Sequence, residues 1–426
     1  MTHPMSDQML ARYADLLLAS GVNLQPGQSL TISAELGHAP LVRAAVAAAY
    51  RMGAPYVHVQ WLDTLTMRAH AQHVHDDYLD DYPAFEIAAR RQMVDETWAR
   101  LAIVGPDDPD ALSDVDPARL RRIMQARRRV TRFYSDAQMA NRFQWCVAAA
   151  PTPAWAAKVF PDLAPDAAEA ALWELILRTC RVDQDDPVAA WQAHDAALNR
   201  VAASLMAQQV RALHFVDAAL ADDGRPATDL TVGLTAQPNW VAASSARPDG
   251  VRFLANMPTE EVFTTPHAGR VHGYVRTSKP CFPFEQRVED AYFRFEDGAV
   301  VEFRAGTGQE ILEQFFAIDG ARRLGEVALV DVRSPINQAG VIFYETLFDE
   351  NAVCHIAFGE AYPEGVVDGA AMSDEEQRAV GINKSDTHVD FMIGTPTMRV
   401  DGITADDRTV PIMRDGRFVA DVAGAG

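Results

Sequence analysis

Apolar and polar positions along this chain fall into two regimes. From Met9 to Ala19, the residues Leu10, Tyr13, Ala14, Leu16, Leu17 and Leu18 recur with a helical period that stops at Gly21. A turn at Gln25-Pro-Gly-Gln28 follows, and Ser29 to Ala34 then alternates as a strand does. Leu41 to Arg51 is an Ala-rich helix halted by Gly53, and Pro55 to Trp61 is a further strand. Leu101 to Val104 and Trp145 to Ala150 are short buried strands, whereas Ala167 to Cys180 and Pro187 to Val216 are helical. Helices alternating with strands predict an α/β arrangement around a parallel sheet.

The second regime starts after Asp222-Asp-Gly-Arg-Pro226, where strands take over. Asp290 to Glu296 alternates, with Ala291, Phe293 and Phe295 set against Asp290, Arg294 and Glu296. It turns at Asp297-Gly298, a favoured two-residue hairpin pair, and returns over Val300 to Arg304. Ile311 to Leu324 reads as helix. The expected organisation is an α/β N-terminal domain, residues 1–225, and an α+β C-terminal metal-binding domain, residues 226–426.

Composition narrows the class. A chain of 426 residues with 48% hydrophobic content and seven Trp is long enough for two globular domains. With 38 Lys and Arg against 59 Asp and Glu the net charge is −21, the opposite balance from a nucleic-acid binder. The one basic run, Arg119, Arg121, Arg122, Arg127, Arg128, Arg129 and Arg132, has no aromatic platform interleaved, so it reads as a solvated helix face. Cys146, Cys180, Cys281 and Cys354 form no C-x-x-C pair and read as reduced thiols. With no secretory leader pattern and no long apolar run, the expectation is a cytoplasmic protein with no membrane or nucleic-acid partner.

The chemistry concentrates after residue 225. Val353 to Tyr362, read with His388-Val-Asp390, supplies two histidines, a carboxylate and a tyrosine. On a strand, successive side chains alternate faces, so His388 and Asp390 point the same way. Glu260, the first of the adjacent pair Glu260-Glu261, and Glu326 add candidate oxygen ligands upstream. Each feature alone is ordinary: a Glu pair is usually a solvated face, and a lone histidine is usually a hydrogen-bonded core residue.

In combination they are specific. Asn256 to Pro266, Asp319 to Val330, Ser334-Pro-Ile336, Thr346 to Ala352, His355 to Tyr362 and His388 to Gly394 resemble, in order, the motifs of the thermophilic-type metalloaminopeptidases, the aminopeptidase T, aminopeptidase S and aminopeptidase II group. Ala11-Arg-Tyr-Ala14, Pro151 to Ala156 and Val159-Phe-Pro-Asp162 extend the resemblance over almost the whole chain. The resemblance implies that Glu260, Glu326, His355, His388 and Asp390 are metal ligands and that Tyr362 lines or ligates the site. It departs at Ala227-Thr-Asp-Leu230, where glycine is common in the first position, and His267 and His272 are extra histidines that read as polar loop residues.

Three carboxylates and two neutral imidazoles leave three negative charges, which two divalent cations and a bridging hydroxide bring to zero. The mixed donors suit zinc or cobalt, with manganese as a third candidate. The expected activity is removal of the N-terminal residue from short peptides by a metal-bridging water. Tyr362 would stabilise the oxyanion, and Glu261 is the candidate general base. Because adjacent residues of a regular strand face opposite ways, Glu260 and Glu261 serve one site only if that segment is irregular. The resemblance also implies a homodimer. The alternative is a non-haem iron dioxygenase of the 2,5-dihydroxypyridine type, which shares this fold and needs only His355, His388 and Asp390, leaving Glu260 and Glu326 surplus.

Overall fold

The computed structural model describes residues 5–108, 111–112, 114–220 and 224–424. The chain divides into two compact units: Met1–Trp191 with Ser244–Pro258, and Gln192–Ala243 with Thr259–Gly426. The compositional change used for the expected boundary at 225 therefore falls inside the second unit. Asp222 and Asp223 of that expected boundary lie outside the described residues.

The first unit is built on a parallel sheet of β1 (Leu30–Glu35), β2 (Val57–Leu62), β3 (Ala99–Val104) and β4 (Trp145–Ala149). The strand order is β2-β1-β3-β4, and the short strand Asn256–Met257 adds in parallel beside β4. Strand alternation and register put Leu30, Ile32, Ala34, Leu101 and Ala148 on one face of the middle strands, all of them buried. The helix Ala39–Arg51 buries Leu41, Val42, Ala45, Ala48 and Ala49, one stripe at helical spacing, and Gly53 follows at φ 90°. In the helix Pro117–Met139, Arg122 pairs with Asp80 at 2.5 Å and Arg119 pairs with Asp76, so part of the basic run is tied to exposed carboxylates.

The second unit holds, in chain order, β5 (Val210–Leu220), β6 (Pro226–Leu234), β7 (Glu261–Thr264), β8 (Pro266–Arg276), β9 (Tyr292–Glu296), β10 (Ala299–Arg304), β11 (Leu324–Val330), β12 (His355–Gly359), β13 (His388–Met392), β14 (Met398–Thr404), β15 (Thr409–Arg414) and β16 (Arg417–Phe418). An eight-stranded antiparallel sheet runs β10-β9-β8-β6-β5-β14-β15-β16, and a four-stranded antiparallel sheet runs β7-β11-β12-β13. The β9–β10 hairpin turns at Asp297 and Gly298, both at positive φ (49° and 79°), as a primed two-residue turn demands.

Two segments differ from the sequence expectation. The helix expected over Pro187 to Val216 ends at Ala207; Gln209 takes a left-handed φ of 53°, and the period-two run from Val210 pairs with β6 and β14 instead. The helix expected over Ile311 to Leu324 ends at Phe315, because Gly320 turns the chain at φ 77° and Leu324 opens β11.

An aromatic cluster holds the four-stranded sheet in place. Phe358 on β12 and Phe391 on β13 meet Phe293 on β9 with ring centroids 5.0 and 5.2 Å away. Phe295 stacks on Phe358 at 5.7 Å. Edge-to-face pairs of this kind contribute about 0.5–1.5 kcal/mol each beyond burial. Phe358 and Phe391 occupy the back of the sheet, so their strand neighbours are presented on the front. Among the described residues, no helix is long and apolar enough to cross a membrane.

Candidate metal centre

The front of the four-stranded sheet is the site. Glu326 on β11, Ala357 on β12 and Asp390 on β13 stand in one row across the ladder. His355 lies two residues from Ala357 and His388 two from Asp390, so strand alternation puts both on the same face. Glu261 opens β7 opposite Val330, itself on the Glu326 face of β11. In the middle of five large polar side chains stands the small, fully buried Ala357. Its methyl takes up little of the face between Glu326 and Asp390, its neighbours across the ladder.

The side chains converge on that face. His355 Nε2 lies 3.2 Å from Glu261 Oε2, 3.3 Å from Glu326 Oε1 and 4.0 Å from Asp390 Oδ1. His388 Nε2 lies 3.6 Å from Asp390 Oδ1 and 3.7 Å from Glu326 Oε2. One donor atom each from Glu261, Glu326 and His355 falls within 4.8 Å of the others, a span that a cation can bridge. His388 Nδ1 is 2.7 Å from the Glu360 carbonyl, and donation there aims Nε2 at the carboxylates, so that the neutral imidazole presents Nε2 to a metal, the usual way a ligand imidazole is oriented. Tyr362 packs its ring 4.7 Å from that of His388.

Glu260 faces elsewhere. Its Oε2 lies 3.6 Å from His194 Nε2, and its backbone N–H donates to Asn351 Oδ1 at 2.8 Å. Glu260 precedes β7 and Glu261 begins it, so the adjacent carboxylates diverge. Of the residues expected from sequence, Glu261, Glu326, His355, His388 and Asp390 come together with Tyr362 beside them, and Glu260 joins His194. His267 Nδ1 accepts from Gly269 N at 3.0 Å, a local turn contact.

Two residues carried no sequence expectation. His194 comes from a helix far away in the chain. Glu350, on the turn Glu350–Ala352, adds a buried carboxylate near enough to feel the charges of Asp390, Glu261 and Glu326. The motif Thr346 to Ala352 was the available signal for Glu350, since its two acids stand just ahead of His355.

Electrostatics show the strain of collecting these charges. Burial, then the charges of Asp390 and Glu261, push Glu350 well above the carboxylate range. Burial also raises Glu326. Burial alone would lower His355, but its carboxylate neighbours Glu261 and Glu326 prevail and hold it well above its ordinary value. Burial opposes protonation of His388 too, and Asp390 and Glu326 overcome it, raising the imidazole to about 9. Burial, with the Glu326 charge, moves even Glu364 up to about 7.

These residues fit a divalent metal. The ion-pair partners of Glu261, Glu326 and Asp390 among the described residues are histidines, which must be neutral to bind metal. Glu261 Oε2 is buried and makes no aligned hydrogen bond, the state of a donor atom reserved for a cation. Buried carboxylates without a cation carry a large desolvation cost, and mixed imidazole and carboxylate donors are what zinc, cobalt or manganese accept.

Comparison with known proteins agrees with this reading. Aminopeptidase 2 of Geobacillus stearothermophilus is 41% identical over 98% of this chain and 99% of its own length. Aminopeptidase T of Thermus aquaticus is 41% identical over 96% of this chain and 98% of its own length. The solved structure of wild-type AmpT from Thermus thermophilus matches with a TM-score of 0.87 at 38% identity, covering 97% of this chain and 99% of that one. The dioxygenase alternative gains no support here, and Glu261 and Glu326 stand in the cluster beyond the two histidines and one carboxylate it would need. The family model described as thermophilic metalloprotease (M29) matches residues 6–418, and the chain therefore belongs to that family of metal-dependent hydrolases.

Proposed function

We propose that this protein is an aminopeptidase that removes the N-terminal residue from short peptides at a site for two divalent metal ions, zinc or cobalt, with manganese as a third candidate. The observation that carries the reading is the buried convergence of Glu261, Glu326 and His355, with His388 and Asp390, on one face of a sheet. The names of the similar proteins support the aminopeptidase assignment.

Glu326, His355, His388 and Asp390 would hold the metals. Of the Glu260–Glu261 pair, position favours Glu261 as the further ligand, although the family resemblance points to Glu260. Bound divalent ions at such a site acidify a water and polarise a peptide carbonyl. Tyr362, held well above its ordinary value by burial and then by Glu326 and Asp390, keeps its hydroxyl proton at neutral pH. It is therefore a donor for the oxygen that becomes negative as the peptide carbonyl is attacked. Glu260, 3.6 Å from the His194 Nε2 that donates to the Thr259 carbonyl at 2.8 Å, is the remaining carboxylate of the pair and the candidate for moving a proton between water and the leaving amine.

Four buried free cysteines support a reducing, cytoplasmic setting, and the resemblance supports a homodimer. Hydrolysis of aminoacyl-p-nitroanilides by metal-stripped protein, with zinc, cobalt or manganese restored, tests the central reading. Cleavage that returns with metal and disappears in Glu326→Gln establishes it; no cleavage with any of the three ends it. Light scattering at a dimer mass tests the oligomer.

A further inference from the structure

The parallel sheet of the first unit has an apolar face and a polar one. Register sets His58 of β2, Thr31 of β1, Arg100 of β3 and Trp145 of β4 in one row across the sheet, on the face opposite Leu30, Ile32 and Leu101. The helices Ala84–Asp95 and Pro117–Met139 cover this row at its Trp145 end, where Trp145 packs against a buried cluster of Val94, Tyr134, Ala137 and Phe143. Beside Trp145 the row turns cationic. Arg100 is largely buried, with Tyr134, Arg90 and Arg127 of the two helices as its neighbours.

Three guanidiniums gather there with no carboxylate among them. Arg90 Cζ lies 5.4 Å from the centroid of the Tyr134 ring, and Arg90 Nε is buried with no hydrogen-bond partner. Arg127 stands two turns before Tyr134 on the same side of its helix, nearer to solvent. Burial, and then the like charges of Arg90 and Arg127, hold the Arg100 guanidinium below its ordinary value. Among the described residues, the side chains of Arg90, Arg100 and Arg127 make no hydrogen bond or ion pair, and neither do those of Thr31, His58 and Tyr134.

Folding alone does not call for this arrangement. Asp and Glu outnumber Lys and Arg 59 to 38, and Arg119 and Arg122 of the same helix are each paired with a carboxylate. A cation–π contact accounts for Arg90 but not for Arg100. A desolvated charge without a partner is costly, and like charges brought together add to the cost. An anion bound among the three removes it. These guanidiniums come from a strand and two helices. A carboxylate presents two oxygens in one plane, whereas a tetrahedral oxyanion presents one to each guanidinium and keeps one for a neutral donor.

We propose that the layer between this face of the sheet and the two helices holds a binding site for a phosphate group, free or as a small monoester, with Arg90, Arg100 and Arg127 as its anchors and Tyr134 and Thr31 as neutral donors. The site uses no residue of the metal centre and stands independently of the aminopeptidase reading.

Titration calorimetry of the metal-loaded full chain with inorganic phosphate, glycerol 3-phosphate and acetate tests it on the wild type, Arg100→Gln and Arg127→Gln. The wild type is expected to bind one phosphate per chain. Arg100→Gln weakens that binding by about tenfold or more, the loss of a charge-assisted hydrogen bond. Arg127→Gln, at an exposed position where the fold is not at stake, weakens it by about threefold or more. Phosphate raises the melting temperature of the wild type, and the rise is lost in Arg100→Gln while metal content stays at the wild-type level. Tighter binding of glycerol 3-phosphate than of phosphate at this site makes a monoester the occupant, and the reverse makes it free phosphate. Binding that vanishes when the metal is removed but persists in Arg100→Gln places the anion on the metal centre and overturns the proposal. So does the absence of binding, equal affinity in all three proteins, or acetate bound as tightly as phosphate. If Arg100→Gln does not fold, unchanged affinity in Arg127→Gln overturns it alone.

Discussion

Glu260 and Glu261 are neighbours in the chain but serve different histidines: Glu260 Oε2 lies 3.6 Å from His194 Nε2, and Glu261 Oε2 lies 3.2 Å from His355 Nε2. The division follows from where β7 begins. Glu261 is the first residue of the strand and takes the face of the sheet that carries Glu326, while Glu260 precedes the ladder and turns away.

The two glutamates should therefore separate experimentally. Glu261→Gln is expected to weaken metal binding by about 100-fold or more, while Glu260→Gln keeps its metal and loses turnover. Metal content by mass spectrometry, alongside hydrolysis rates, decides this. Metal lost from Glu260→Gln and kept by Glu261→Gln would exchange the two roles.

Ala357 is the small central residue of the ligand face. Ala357→Leu should place a side chain where the metals belong. The expected result is loss of metal and activity, with a stability penalty of about 1–3 kcal/mol from overpacking. Denaturant unfolding and metal content check it. A variant that binds metal normally would show that the space between Glu326 and Asp390 is not the metal position.

Metal loading should depend on pH with a definite sign. In the metal-free chain His388 is raised from 6.5 to about 9, so it holds a proton through neutrality. Binding must displace that proton, and apparent affinity should climb about tenfold per pH unit for each proton released, levelling near the histidine value. The raised imidazole also stabilises the metal-free fold fully below 6.5, a contribution lost as pH rises through about 9. Chelator competition and thermal melts from pH 6 to 9 test both halves; affinity independent of pH would remove His388 from the ligand set.

Asn351 is a structural support for the Glu260 segment. Fully buried, it accepts from Glu260 N at 2.8 Å through Oδ1 and donates to the Leu347 carbonyl at 3.1 Å through Nδ2. Asn351→Ala strands both backbone groups, and an unsatisfied buried group costs about 1–3 kcal/mol. A melting temperature equal to wild type would show that water or a rearranged backbone takes over its bonds.

Local chemistry explains what could be read from the chain. The Asp297-Gly298 hairpin was legible because its turn type depends on two adjacent residues, both of which tolerate positive φ. His388 and Asp390 were legible as one face because strand alternation is a property of the backbone itself. The helices Asp7–Leu16 and Ala39–Arg51 followed from apolar spacing and from the glycines beyond them. The Pro187 helix was overextended because a period-two run after Gln209 is locally compatible with helix until strands β6 and β14 are there to pair with it.

The sequence by itself determined the residue types of the site, the order in which they occur and the family they mark. Only the tertiary structure decided which glutamate meets His355, that His194 and Glu350 join the acidic surroundings, and that Ala357 stands in the row between Glu326 and Asp390. The physical reason is range. Propensity, turn chemistry and strand alternation act over a few residues, whereas the ladder register among β7, β11, β12 and β13 is set by pairing and burial between segments far apart in the chain.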